Sequence, residues 1–244
     1  MQCVCSVKND FMDLCICPNI LSPDIIGSDK LSPDKLSPDK LSPEKLVNYE
    51  TIIEVRPKVK IVFDWDDTLF PTSWLIEING GYNLVNNLYV EIKMKEYIPV
   101  LISTIKMAKS LGEVIIITNA RRYWVIDCLS FWLKDVKGFF DNITVISARD
   151  CFASFLPEDN PTMWKCMAFD RELTNCDMMI SIGDSDAEKD GIKFAKEATK
   201  TRIIIKTIKL VENPSITELM IQHIKLLNKM ENMFNDSQNY DFFI

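Results

Sequence analysis

Three carboxylates crowd the stretch "KIVFDWDDTLFPTSW", where Asp64, Asp66 and Asp67 end an apolar run. Like charges at this spacing repel, and burying them unpaired is costly. One chemistry that such a cluster suits is phosphoryl transfer. A carboxylate attacks phosphorus when a divalent cation screens it from the anionic substrate. Magnesium suits that role, because it binds through a few carboxylates together with phosphate oxygens and water. A second carboxylate two residues away can protonate the leaving oxygen and then activate water. A hydroxyl at a helix start and a lysine can hold the transferring oxygens.

The partners these acids need stand after other apolar runs. Thr118 and Asn119 follow a second run, Ser147 and Arg149 a third, and Gly183-Asp184-Ser185-Asp186 a fourth, with Glu188 just beyond. Lys165 lies between the third and the fourth. The runs predict strands over 60–64, 114–118, 143–147, 178–182 and 202–206. Helical spacing predicts helices over 88–110, 121–134, 162–173, 186–199 and 215–234. The first carries Pro99 as an expected kink, and the last opens on the capping pair Ser215 and Glu218. Strands that are apolar throughout and alternate with helices predict an α/β fold, with a doubly wound, mainly parallel sheet covered on both faces. In such a sheet ligands bind beyond the carboxyl ends of the strands, where all these polar groups would converge.

Asp64-Trp65-Asp66-Asp67-Thr68, Thr118, Lys165 and Gly183-Asp184 resemble the four ordered motifs of the haloacid dehalogenase superfamily of phosphotransferases. The likeness spans roughly residues 58–210. It implies a Rossmann-like fold, a magnesium ion and an aspartyl-phosphate intermediate. By this resemblance Asp64 is the nucleophile and Asp66 the general acid/base, while Thr118 and Lys165, with Asn119 beside them, hold phosphate. Asp64, the backbone carbonyl of Asp66, and Asp184 would bind the metal. Members that cleave carbon–halogen bonds lack the second Asp, so Asp66 favours phosphoryl transfer. One departure concerns the fourth motif, whose second acid is commonly an Asp four or five residues after the first. Here Glu188 and Asp186 both compete for that place. Arg149 is a candidate for reading substrate anions, and Asp67 reads as part of the turn after the strand.

Neither the span from Asp64 to Thr118 nor that from Thr118 to Lys165 leaves room for a lid of domain size, and the stretch after Phe70 is only hairpin-sized. The chain therefore resembles the capless branch of the superfamily. Near the first motif it is also similar to a group of capless protist proteins with an FDWDDTL-P-SW opening, a likeness that carries no substrate. The expected activity is magnesium-dependent hydrolysis of a phosphomonoester, on a phosphoprotein or another large substrate. Two alternatives stay open: a small-metabolite phosphatase lidded by a neighbouring subunit, and a catalytically idle binding protein of the same fold.

Composition narrows the classes. A net charge of −7 argues against a broad basic face for nucleic acid. The single histidine, His223, weighs against His-rich metal sites and Ser-His-Asp chemistry, and reads as a surface or semi-buried helix residue. Residues 1–20 form a tail with the pairs Cys3/Cys5 and Cys15/Cys17, whose acylation would give peripheral membrane attachment. Residues 21–50 hold a Leu-Ser-Pro-Asp-Lys repeat that reads as a disordered linker, with Ser22, Ser32, Ser37 and Ser42 as candidate proline-directed kinase sites. The catalytic domain is expected over 55–236 and a C-terminal tail over 237–244. With no secretory signal legible, a cytoplasmic protein with reduced thiols is expected.

Overall fold

The computed structural model describes residues 57–82, 87–156 and 159–244. The Cys-containing tail, the repeat and its four Ser-Pro serines lie outside the described residues. Six strands form one sheet in the order β3-β2-β1-β4-β5-β6, with every neighbouring pair parallel. They are β1 (Val59–Phe63), β2 (Glu113–Thr118), β3 (Thr144–Ser147), β4 (Met178–Gly183), β5 (Ile204–Lys209) and β6 (Tyr240–Phe243). The helices are α1 (Thr72–Asn79), α2 (Leu88–Leu111), α3 (Arg122–Phe131), α4 (Ala148–Phe152), α5 (Pro161–Glu172), α6 (Asp186–Thr199) and α7 (Ile216–Asn235). This is the expected doubly wound, Rossmann-like α/β arrangement. Among the described residues the span from β1 to β2 holds α1 and α2, and that from β2 to β3 holds α3 and a 3-10 turn over Lys134–Phe140, so there is no large cap.

Alternation along the strands builds two cores. Ile61, Phe63, Ile116, Ile180 and Ile182 face one side and pack with apolar residues of α2 and α7. Val62, Ile115, Ile117 and Met179 face the other and pack with α5 and α6. Both faces being covered, β4 is buried along its whole length, as parallel strands usually are. No helix among the described residues is long and apolar enough to cross a membrane.

Several expectations are corrected. The hairpin-sized stretch after Phe70 forms helix α1. The helix expected over 88–110 is present as α2, which runs through Pro99 for 24 residues. The ring removes the amide partner of the Lys95 carbonyl, but Pro99 and Lys95 are both exposed, so water can satisfy that carbonyl. Strand β5 begins two residues later than expected and reaches Lys209. The chain after α7 is not a tail, because residues 240–243 add β6 beside β5. Asp241 anchors this strand, accepting hydrogen bonds from Thr207 Oγ1 and Lys193 Nζ, both at 2.6 Å. The buried Lys206 reaches the carbonyls of Met233 and Asp236 and so caps the end of α7. His223 is 1% exposed and belongs to the core under the first motif.

Candidate functional site

The sheet register sets the site. Phe63 pairs with both Ile116 and Ile182, so the residues that follow β1, β2 and β4 emerge side by side. Asp64 leaves β1 with its amide still bonded to the Ile182 carbonyl at 2.9 Å. Asp184 leaves β4, and Thr118 ends β2. One cavity of about 670 Å³ at this edge is lined by Asp64, Asp66, Thr118, Asn119, Arg149, Asp184 and Glu188 among others. Beneath it lies Lys165, 0% exposed, delivered by α5.

Lys165 stands between two acids. Its Nζ is 2.9 Å from Asp64 Oδ1, an ion pair, and it also contacts Glu188 Oε1. Burial would lower the lysine pKa, but the two carboxylates outweigh it and hold the ammonium above its usual value. One ammonium does not neutralise the cluster. Oxygens of Asp64, Asp184 and Glu188 all lie within 4.8 Å of one another. Burial first, then the neighbouring acids, push Asp64 up to about 7 and Asp184 up to about 8. Three crowded carboxylates against one lysine leave an excess of negative charge. These are hard oxygen donors of the kind a divalent cation takes.

The structure separates the two rivals for the fourth motif. Glu188 folds back into the site. Its Oε2 accepts from Ser185 N at 2.9 Å and Ser185 Oγ at 2.6 Å, which closes the α6 capping box. Gly183 makes this fold possible, because a Cβ there would stand 2.6 Å from Glu188 Cδ. Asp186 is exposed and turns to Lys209 at 3.5 Å, outside the cavity.

Asp66 and Asp67 divide their roles through local hydrogen bonds. Asp66 Oδ1 accepts from Trp124 Nε1 at 2.9 Å and from Thr72 Oγ1. Burial raises its pKa against the pull of those two bonds. Asp67 adopts φ 53° and turns its carboxylate onto the start of α1, accepting from Ser73 N at 2.9 Å and from Ser73 Oγ. It is a turn and cap residue. Thr68 Oγ1 donates to Asp184 Oδ1 at 3.3 Å, tying the first and fourth motifs. Thr118 Oγ1 accepts from Ala120 N at 3.0 Å. Asn119 Nδ2 donates to the Pro161 carbonyl at 3.3 Å and so ties β2 to α5, the helix of Lys165.

Five contributors are not among the candidates taken from the sequence. Trp124 and Thr72 bind Asp66. Lys209 Nζ donates to the Asp184 carbonyl at 2.7 Å and steadies that loop. His223 reaches Thr68 O at 2.8 Å through Nε2, while Nδ1 meets Thr104 Oγ1 at 2.9 Å. A carbonyl can only accept, so Nε2 carries the proton. Tyr97, 3.0 Å from the same nitrogen, donates its hydroxyl to Leu69 O at 3.1 Å. The core thus fixes two successive carbonyls of the first motif. Burial pushes the imidazole pKa down to about 4, so it is neutral at physiological pH.

No family model matches the chain, and no curated protein matches it significantly. A solved structure of the Legionella pneumophila effector Ceg4, with an N-terminal yeast Hog1p sequence, is similar over 75% of this chain and 99% of that one, at 14% identity and a TM-score of 0.42.

Proposed function

We propose that this chain is a magnesium-dependent phosphomonoester hydrolase working through an aspartyl-phosphate. The observation that carries the reading is the convergence of Asp64, Asp66, Thr118 and Asp184 on one cavity, with Lys165 2.9 Å from Asp64. The likeness to the haloacid dehalogenase motifs supports the same roles. Asp64 and Asp184 would hold the cation with the Asp66 carbonyl, and Glu188 would complete the acidic shell. When bound, the metal screens the acids from an anionic substrate and draws charge from the phosphoryl oxygens.

An oxygen of Asp64 attacks phosphorus in line. The bond from phosphorus to the ester oxygen breaks, and its electron pair stays on that oxygen. Asp66 gives the oxygen a proton, and the alcohol leaves. Asp66, now a carboxylate, takes a proton from water as the water oxygen attacks the same phosphorus. The Asp64 oxygen–phosphorus bond breaks, releasing inorganic phosphate and the free carboxylate. Burial keeps Asp66 above the usual carboxylate range, and Thr72 and Trp124 hold the oxygen opposite the one that moves the proton. Lys165 orients Asp64 and, with the Thr118 hydroxyl, holds the equatorial oxygens.

The test is turnover of aryl phosphates by purified protein with magnesium, and by Asp64→Asn. The variant should lose at least about a thousandfold, as expected when a nucleophile is removed. No turnover by the native chain across an aryl phosphate and phosphopeptide panel, or full activity in Asp64→Asn, would defeat the reading.

A further inference from the structure

The acids gather at the β1 and β4 side of the cavity, whereas Arg149 enters from the β3 side. Two other cations at the site are already engaged. Lys165 contacts Asp64 and Glu188, and Arg121 lies 3.6 Å from Asp150. Arg149 makes no ion pair among the described residues. Its guanidinium lies 5.3 Å from the ring centre of the buried Trp164, a contact that fixes its plane. Its Nε is shielded from water and without a hydrogen-bond partner. That shielded Nε is closed to a substrate as well, so an anion would meet the outer Nη groups; a half-buried guanidinium that lines the cavity, rests on Trp164 and has no carboxylate partner among the described residues is placed to receive one.

We propose that Arg149 reads a second anionic group, phosphate or carboxylate, on the substrate. The proposal rests on the phosphomonoester reading above and narrows its substrate class. β3 is two strands from β1, and adjacent strands stand about 4.8 Å apart. Arg149 therefore leaves the sheet edge about 10 Å from Asp64, and its reach sets how far the second anion lies from the reacting phosphorus. The planar fork of an arginine suits bidentate capture of either anion. The cavity is then divided, with phosphoryl transfer at the acidic end and recognition at the basic end.

The experiment compares matched substrates, phosphate monoesters of ω-hydroxy acids of increasing chain length and their methyl esters, with 4-nitrophenyl phosphate as a generic substrate. In the native protein the ratio of kcat/KM for acid over methyl ester should rise about tenfold or more at one chain length, as a charge-assisted hydrogen bond allows. Arg149→Ala and Arg149→Met should bring that ratio to about one, mainly through KM, and Arg149→Lys should restore part of it. Because the ratio is internal to each variant, partial unfolding cancels. A native ratio near one at every length, or a ratio unchanged in Arg149→Ala, overturns the proposal while turnover of 4-nitrophenyl phosphate leaves the hydrolase reading standing. No turnover of any of these esters removes both.

Discussion

His223 offers the cleanest energetic test, because it is the sole histidine and is 1% exposed. Its pKa falls from 6.5 to about 4 on folding, chiefly through burial. A depressed folded pKa means that the unfolded chain binds the proton first. The stabilising contribution is complete above about pH 6.5 and is lost as pH falls towards 4. A shift of about 2.5 units at about 1.4 kcal/mol per unit gives roughly 3–4 kcal/mol in full, about 3 of it between pH 7 and 4. Asp64 and Asp184 act with the opposite sign, so the native curve alone hides the effect. The comparison is urea unfolding from pH 4 to 7 for the native protein and His223→Gln, whose amide can still donate to Thr68 O but does not titrate. The native protein should lose about 3 kcal/mol more than the variant on acidification, most steeply between pH 6.5 and 4. Parallel curves, or an imidazole NMR signal titrating near 6.5 in the folded state, would refute the reasoning.

The metal-free acids make the reverse prediction. Asp64 at about 7 and Asp184 at about 8 both lie above their unfolded value of 3.8. Their contribution is complete below about pH 4 and is lost as pH rises through 7 and 8, so metal-free protein should melt lower at pH 8 than at pH 5 once the His223 effect is subtracted. Magnesium at about a hundred times its Kd should restore about 2.7 kcal/mol at pH 8, a rise of roughly 5–10 °C in Tm; calorimetry showing no rise speaks against a cation site. Trp124→Phe removes a donor that lowers the Asp66 pKa. The pH–rate profile should shift to higher pH on the limb Asp66 controls, with kcat down about tenfold; an unmoved profile denies Trp124 that role.

The strands were legible because fully apolar runs of this length have few alternatives, and the acidic cavity was legible because acids rarely end a buried run without a use. Long-range partners were not. Trp124 lies 58 residues from Asp66, and nothing in "RYWVIDCLSF" marks which face turns to the site. His223 lies 155 residues from Thr68, and a lone histidine in an amphipathic helix looks the same whether it faces water or a carbonyl. Glu188 carried a local signal that went unread, the capping-box spacing Ser185-x-x-Glu188, whereas its contact with Lys165 beneath the cavity is a tertiary fact. Strand β6 has only four residues, and its anchor, Asp241, becomes recognisable once Thr207 and Lys193 stand beside it.

The central claim is that phosphorus becomes covalently bound to Asp64. Removing the base that activates water should trap that state. Asp66→Asn, mixed with magnesium and 4-nitrophenyl phosphate and quenched in acid, should gain the mass of one phosphoryl group on the peptide holding Asp64, with nitrophenol released in a single burst. The label should vanish in Asp64→Asn. Continued turnover with no covalent species on rapid quench, or the phosphoryl group on another residue, would contradict the account.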